Sequence, residues 1–378
     1  MNTPNWQHWN PVRVVFEPGA LERLDDELDG HRAVLVTTPG FRRRGIVARI
    51  EVALGRRLVG VIDDVQPNPD LRDVDRQANT VRDLDPDTLI ALGGGSAMDT
   101  AKGLARLLGR PAGCSLAEHF RAGETFTDEP AVPLMAIPTT SGTGAEVTPF
   151  GTIWDLEHGQ KFSVTGRDLY ARVALLDPEL TLGLPGHVTV SSGLDALSHA
   201  LESCWNRAAS PVTLGLVTQS LRLALAALPR LRKDPEDRVV RARMMEASLL
   251  AGLAISQTRT ALAHSISYPL TTEFDLPHGF ACSFTLPALM RFNHEADDGR
   301  IESLAWALGY HDVEALAAAI EDLFEDLGVA GYLKRWIPDA DAALKLSERM
   351  YTPGRACNNL RGASRQQIEA LVRQSLAA

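Results

Sequence analysis

The first half of the chain alternates short apolar runs with polar stretches of helical period. The runs are Val12 to Phe16, Ala33 to Val36, Leu58 to Ile62, Thr88 to Leu92, Leu134 to Ile137 and Val173 to Leu176. Strand and helix signals in strict alternation predict a largely parallel sheet with helices on its faces. From Leu184-Pro185-Gly186 the texture changes to long Ala- and Leu-rich helical periods, such as Val212 to Leu228 and Arg238 to Ser256. The pattern therefore predicts an α/β unit over residues 1–183 and an all-helical unit over 184–378. With 378 residues and 45% hydrophobic content the chain is long enough for two cores.

Two of the predicted strands run into glycine-bearing loops. After Thr88 to Leu92 come Gly93, Gly94, Gly95 and Ser96, and then the helical pattern Met98, Ala101, Leu104, Ala105. A strand-to-helix turn of this composition presents free N–H groups to a pyrophosphate, or uses its glycines for turn geometry alone. After Val132 to Ile137 comes Pro138-Thr-Thr-Ser-Gly-Thr-Gly-Ala-Glu-Val-Thr148. The hydroxyls of Thr139, Thr140, Ser141 and Thr143 suit a flat or anionic ligand, and equally an ordinary loop.

The helical half holds four candidate metal ligands. Asp195 and His199 are four residues apart, so on a helix they leave one face a turn apart. His264 and His278 lie farther on, each near a Pro or Gly that starts or ends a helix. One carboxylate with three imidazoles suits Fe²⁺, Zn²⁺ or Mn²⁺. Taken alone, the Asp/His pair also reads as a surface contact.

The strings G-G-G-S-A-M-D-T-A-K, P-T-T-S-G-T-G-A-E-V-T, D-P-E-L-T, G-L-D-A-L-S-H-A-L-E and P-H-G, in this order and over nearly the whole chain, resemble the iron-dependent (group III) alcohol dehydrogenase family. The resemblance implies a dinucleotide-binding α/β domain followed by an all-α metal-binding domain, with the active site in the cleft between them. It implies Asp195, His199, His264 and His278 as ligands of Fe²⁺, Zn²⁺ or Mn²⁺. It places NADPH or NADH on Gly94, Gly95, Ser96, Asp99, Thr139, Thr140 and Thr143, with Lys161 near the nicotinamide ribose and Leu176 bordering the cleft. A homodimer is the family expectation.

Two departures from the family pattern carry information. Tyr268 stands four residues after His264, where many members place a second histidine, and so becomes the candidate catalytic partner beside Lys161. After the strand Ala33 to Val36, Thr38 stands where NAD-preferring relatives often place a ribose-binding Asp, and Arg42, Arg43 and Arg44 follow. Without that carboxylate a 2′-phosphate is not repelled, so NADPH should be accepted. The arginines either pair with it or form a solvated helical turn.

Within the family, Q-T-R-T-A-L-A-H-S-I-S-Y-P-L-T, R-A-C-N-N-L, F-x-x-x-W-D and A-L-E-S-x-W-N most resemble the reductases that convert phosphonoacetaldehyde to 2-hydroxyethylphosphonate in phosphonate biosynthesis. Arg259, five residues before His264, is then a candidate for the substrate's anion, with Tyr268 and Asn358 beside it. Arg259 also reads as the partner of a neighbouring acid. The alternatives are a general aldehyde reductase of the family, a relative on the shared dehydroquinate synthase plan, or a non-catalytic subunit.

Net charge of −10 speaks against general nucleic-acid or anionic-membrane binding. Cys114, Cys204, Cys282 and Cys357 lack C-x-x-C spacing and read as reduced buried or incidental thiols of a cytoplasmic protein. The N-terminal residues show no basic or apolar leader pattern, and no apolar run reads as a membrane span.

Overall fold

The computed structural model describes residues 5–123 and 130–377; the first four residues of the segment read for a leader lie outside them. The chain divides into two compact units. One is Asn10–Thr140 with Ala145–Thr181; the other joins residues 5–9 and Ser141–Gly144 to the chain from Leu182 onward. The two short segments had no signal in the periodicity.

The α/β unit contains eight strands among the described residues: β1 (Arg13–Phe16), β2 (Ala33–Thr37), β3 (Leu58–Ile62), β4 (Thr88–Gly93), β5 (Leu134–Pro138), β6 (Phe150–Asp155), β7 (Gln160–Thr165) and β8 (Val173–Leu176). Six of them pair in parallel in the order β1-β8-β5-β4-β2-β3. Every residue of β2, β4, β5 and β8 is buried, which is why these strands read as unbroken apolar runs. On one face Leu35, Ile90, Leu92, Met135, Ile137 and Leu175 pack with Leu24, Leu28, Val47 and Ile50.

Strands β6 and β7 form an antiparallel hairpin that the sequence pattern did not announce. It lies against α2 (Gly95–Leu108), reached from β4, while the short α1 (Pro39–Arg43) follows β2. Gly151 permits that approach: a Cβ there would lie 3.2 Å from the Asp99 Cα.

In the second unit the described residues form helices and one isolated bridge, Asn206 with Asn359. The helices that build its site are α3 (Gly186–Cys204), α4 (Pro211–Lys233), α5 (Arg238–Thr258), α6 (Leu262–Phe274), α7 (His278–Ser283) and α8 (Pro353–Ala356). From Gly193 to Cys204 every residue of α3 is buried, so α3 is the central helix of this unit and its polar side chains face protein rather than water.

By length and composition alone helix α4 is apolar enough to cross a bilayer, with a mean hydropathy of 1.4 over 18 residues, a test that core helices also pass. Its Val217, Leu221, Ala224, Leu228 and Leu231 are buried in the helical core with residues of α3 and α5, as befits a core helix.

Candidate metal centre and cofactor loops

Asp195, His199 and Glu202 occupy positions i, i+4 and i+7 of α3, so one stripe of a buried helix carries all three. Asp195 Oδ1 lies 3.5 Å from Nε2 of His199, 3.5 Å from Nε2 of His264 and 3.7 Å from Nε2 of His278. These separations are long for hydrogen bonds. They are short enough for the four groups to share one divalent ion.

The rings of His199 and His264 stack at 4.8 Å between centroids, and His278 meets His264 edge-on at 5.2 Å. Asp195, His199 and His264 are buried, whereas the His278 side chain is 38% exposed, so the cluster opens to solvent on that side.

Partners behind the cluster orient the rings. Glu202, fully buried, accepts from the backbone N–H of Ala261, Ala263 and His264 at 2.9, 2.6 and 3.2 Å, and from His264 Nδ1 at 2.7 Å. The proton of His264 is thereby held on Nδ1, and its buried Nε2 has no hydrogen-bond partner. His199 Nδ1 lies 3.4 Å from the Gly142 carbonyl, which holds that ring the same way round. Two imidazoles with lone pairs turned toward one carboxylate oxygen are a donor set for a divalent cation, and the four residues fit one. Burial pushes the Asp195 carboxyl up, but His199, His264 and His278 outweigh it and hold it well below the usual carboxylate range. Burial lowers His199, against the pull of Asp195.

Helix α7 docks on α3 through Gly279, where a Cβ would fall 1.7 Å from the Ser191 carbonyl oxygen. The P-H-G string thus sets a candidate ligand before a position that a Cβ does not fit. Cys282, one of the cysteines read as reduced buried or incidental thiols, is buried beside the cluster. One turn after His278 its Sγ lies 3.4 Å from Asp195 Oδ1. The ligand atoms of Asp195, His264, His278 and Cys282 all fall within 4.8 Å of one another.

In the α/β unit the first glycine loop joins β4 to α2. Gly93 has φ 151°, and a Cβ there would meet the Ala97 Cβ at 2.7 Å. A Cβ on Gly94 would stand 3.1 Å from Thr140 Oγ1, so the second loop lies against the first. Thr139 N–H donates to the Gly93 carbonyl. Gly94 caps α2 without a side chain, leaving the Gly95 and Ser96 end of the helix suited to a phosphate. Thr143 sits in the Ser141–Gly144 stretch that belongs to the helical unit, apart from Thr139 and Thr140.

Lys161 lies opposite Trp154 in the hairpin, its ammonium 5.0 Å from the ring centre. Leu176 is buried at the end of β8, where Asp177 accepts from the N–H groups of Gly19 and Glu179. Thr38 is the N-cap of α1 and makes no side-chain cap. Arg42 is engaged by Asp63 and Glu51, and Arg44 lies 4.3 Å over the Phe41 ring. Arg43 is exposed and without an ion-pair partner among the described residues.

Arg259 is exposed, at the C-cap of α5, with φ 62° and ψ 175°. Tyr268 follows His264 by one turn of α6, and its hydroxyl accepts from Arg355 Nε at 3.2 Å. Sequence reasoning passed over Arg355, although R-A-C-N-N-L had drawn attention. Asn358 Nδ2 donates to the carbonyls of Thr260 and Gly354 at 2.8 and 3.3 Å, clasping the segment of Arg355 to that of Arg259. Two strings singled out separately meet here. Asn206 of A-L-E-S-x-W-N bridges Asn359 of R-A-C-N-N-L, and its side-chain Nδ2 donates to the Arg259 carbonyl.

Residues 11–178 match the family described as iron-containing alcohol dehydrogenase, and residues 189–376 match its C-terminal domain. A sulfoacetaldehyde reductase of Bilophila wadsworthia is 32% identical over 98% of this chain and 99% of its own. A phosphonoacetaldehyde reductase of Streptomyces viridochromogenes is 38% identical over 71% of this chain and 68% of its own. The crystal structure of a sulfoacetaldehyde reductase from Bifidobacterium kashiwanohense in complex with NAD+ superposes with a TM-score of 0.91. It is 30% identical and covers 99% of this chain and 100% of that one.

Proposed function

The chain belongs to the iron-containing alcohol dehydrogenase family, and from that premise we propose that it reduces a short aldehyde bearing an oxyanion group to the primary alcohol. Phosphonoacetaldehyde, giving 2-hydroxyethylphosphonate, is the first choice of substrate, with NADPH or NADH as reductant. A divalent ion on Asp195, His199, His264 and His278 supplies a Lewis acid for the carbonyl oxygen, and the nicotinamide supplies hydride.

The remaining tasks fall to the chain. Glu202 and Gly142 fix the imidazoles, so the donor set is ready before substrate arrives. Tyr268 projects from the same face of α6 as His264 and closes the pocket where relatives often use a histidine. A phenol in that place offers a hydrogen bond but does not shuttle protons near neutral pH as an imidazole does.

The observation that carries the anionic substrate is the pair Arg259 and Arg355. Neither guanidinium has a carboxylate partner among the described residues, and Asn358 clasps their two segments together. Arg259 is held in a backbone region that is essentially glycine territory, locked by the Asn206 side chain and by its own N–H to Ile255. Strain of about 1–3 kcal/mol is retained where a side chain has work to do. Two forked donors suit a phosphonate or sulfonate. Relatives named for sulfoacetaldehyde and phosphonoacetaldehyde support the same substrate class.

The test is NAD(P)H oxidation with phosphonoacetaldehyde, sulfoacetaldehyde and propanal, in the wild type and in Arg259→Ala and Arg355→Ala. Each variant should lose about 30-fold or more in kcat/KM for the anionic aldehydes, the cost of truncating one partner of a charge pair that bound substrate would cover, and little for propanal. Equal losses on all three would make the arginines structural and return the chain to a general aldehyde reductase. A wild type that prefers sulfoacetaldehyde would replace the dianion by a monoanion.

A further inference from the structure

We infer that Cys282 is a metal donor in this centre, so that its thiolate joins the carboxylate and imidazoles around the ion. The argument begins with the helix. His278 and Cys282 are i and i+4 on α7, and both side chains therefore leave it on the side that faces Asp195. The Sγ lies 3.4 Å from Asp195 Oδ1, beside 3.5, 3.5 and 3.7 Å for the three imidazole nitrogens, so the sulfur stands as near that carboxylate oxygen as the other candidate donors do.

A second observation is independent of the thiol. His264 Nε2 is buried and without a hydrogen-bond partner, and it points into the space that Cys282 borders. A buried lone pair is costly to leave unmet, and a cation shared with the sulfur would meet it. On coordination the S–H bond is exchanged for an S–metal bond, and the proton passes to solvent. A thiolate makes the site softer than one carboxylate and three imidazoles, and moves its preference toward Zn²⁺ and Co²⁺ and away from Mn²⁺.

The test uses the full-length protein stripped of metal and titrated with Co²⁺. Wild type should show near-ultraviolet sulfur-to-cobalt charge-transfer absorption together with the visible ligand-field bands. Cys282→Ser should keep the visible bands and lose the charge transfer. Competition titrations should show its preference for Zn²⁺ over Mn²⁺ reduced about tenfold or more. Because Cys282 is buried, circular dichroism of Cys282→Ser and Cys282→Ala checks folding, but the wild-type spectrum alone decides. Visible bands without sulfur charge transfer would overturn the inference and leave the metal centre standing, the thiol then being a donor to Asp195 only. Failure of Co²⁺ to bind at all would overturn the centre itself, and the inference with it.

Discussion

The Glu202 carboxylate stands 2.7 Å from Nδ1 of His264, and by accepting its hydrogen bond it keeps the proton on Nδ1 and leaves Nε2 turned toward the candidate metal position. Three backbone N–H groups of the α5–α6 turn converge on the same carboxylate, so one side chain sets both the turn and the tautomer. Glu202→Gln keeps the volume but halves the acceptors and offers a competing donor. Metal affinity should fall by about 10–100-fold, measured by competition with a chelator. His264→Ala should go further, losing the ion and the reductase activity while the helical core persists. A Glu202→Gln protein with unchanged affinity would show that the tautomer is set elsewhere.

Gly279 tolerates no side chain. Its Cβ would sit 1.7 Å from a backbone oxygen of α3, so in Gly279→Ala the whole of α7 must retreat and carry His278 with it. We expect a loss of about 1–3 kcal/mol or more in denaturant unfolding, and a loss of metal. Wild-type stability together with a full equivalent of ion would contradict the packing described above.

Thr38 is the proposed determinant of cofactor choice. With Arg42 already engaged by Asp63 and Glu51, the residue at the N-cap of α1 has the larger say over a 2′-phosphate. Thr38→Asp should lower kcat/KM for NADPH about tenfold, some 1.4 kcal/mol, and hardly affect NADH. An unchanged ratio of the two constants would remove Thr38 from the cofactor site.

The pH dependence of stability has a specific source in the α/β unit. Burial pushes the Glu146 carboxyl up to about 7, against the nearby Lys102 charge. Burial also pushes the Lys102 ammonium down to about 8, although it donates to the carbonyls of Ala145 and Phe150. A raised acid binds its proton more tightly in the folded chain. Its contribution is therefore fully present below the ordinary value of 4.5 and is lost as pH rises through about 7. For the depressed lysine the cost stands below about 8 and is relieved as pH rises toward 10.5. Urea midpoints should decline between about pH 4.5 and 7, and Glu146→Gln should flatten that limb. A variant with the wild-type slope would assign it to other groups.

The parallel sheet was legible because its central strands are buried on both faces and spell themselves as apolar runs. The β6–β7 hairpin was not. Its fit to α2 depends on Gly151 meeting Asp99, a contact between residues far apart in sequence. Asp195 and His199 were legible through helical spacing, whereas Glu202, three residues on, looked like any helix-forming glutamate until the α5–α6 turn closed on it. The place of Cys282 beside Asp195 was not legible because its spacing of four from His278 on a six-residue helix resembles no cysteine motif. Arg355 escaped because its neighbour in space, Tyr268, is 87 residues away in the chain.

Helix α4 has one more consequence, and it concerns the order in which the protein folds. A segment apolar enough for a bilayer is a hazard while a chain is being made, since its exposed face invites aggregation or misdelivery. Here the elements that pack most extensively on it are its immediate neighbours in the chain, α3 before it and α5 after it. Contacts between consecutive helices close short loops and form fast. The most membrane-like stretch of the sequence can therefore find its cover once α5 has been made, without waiting for the rest of the chain.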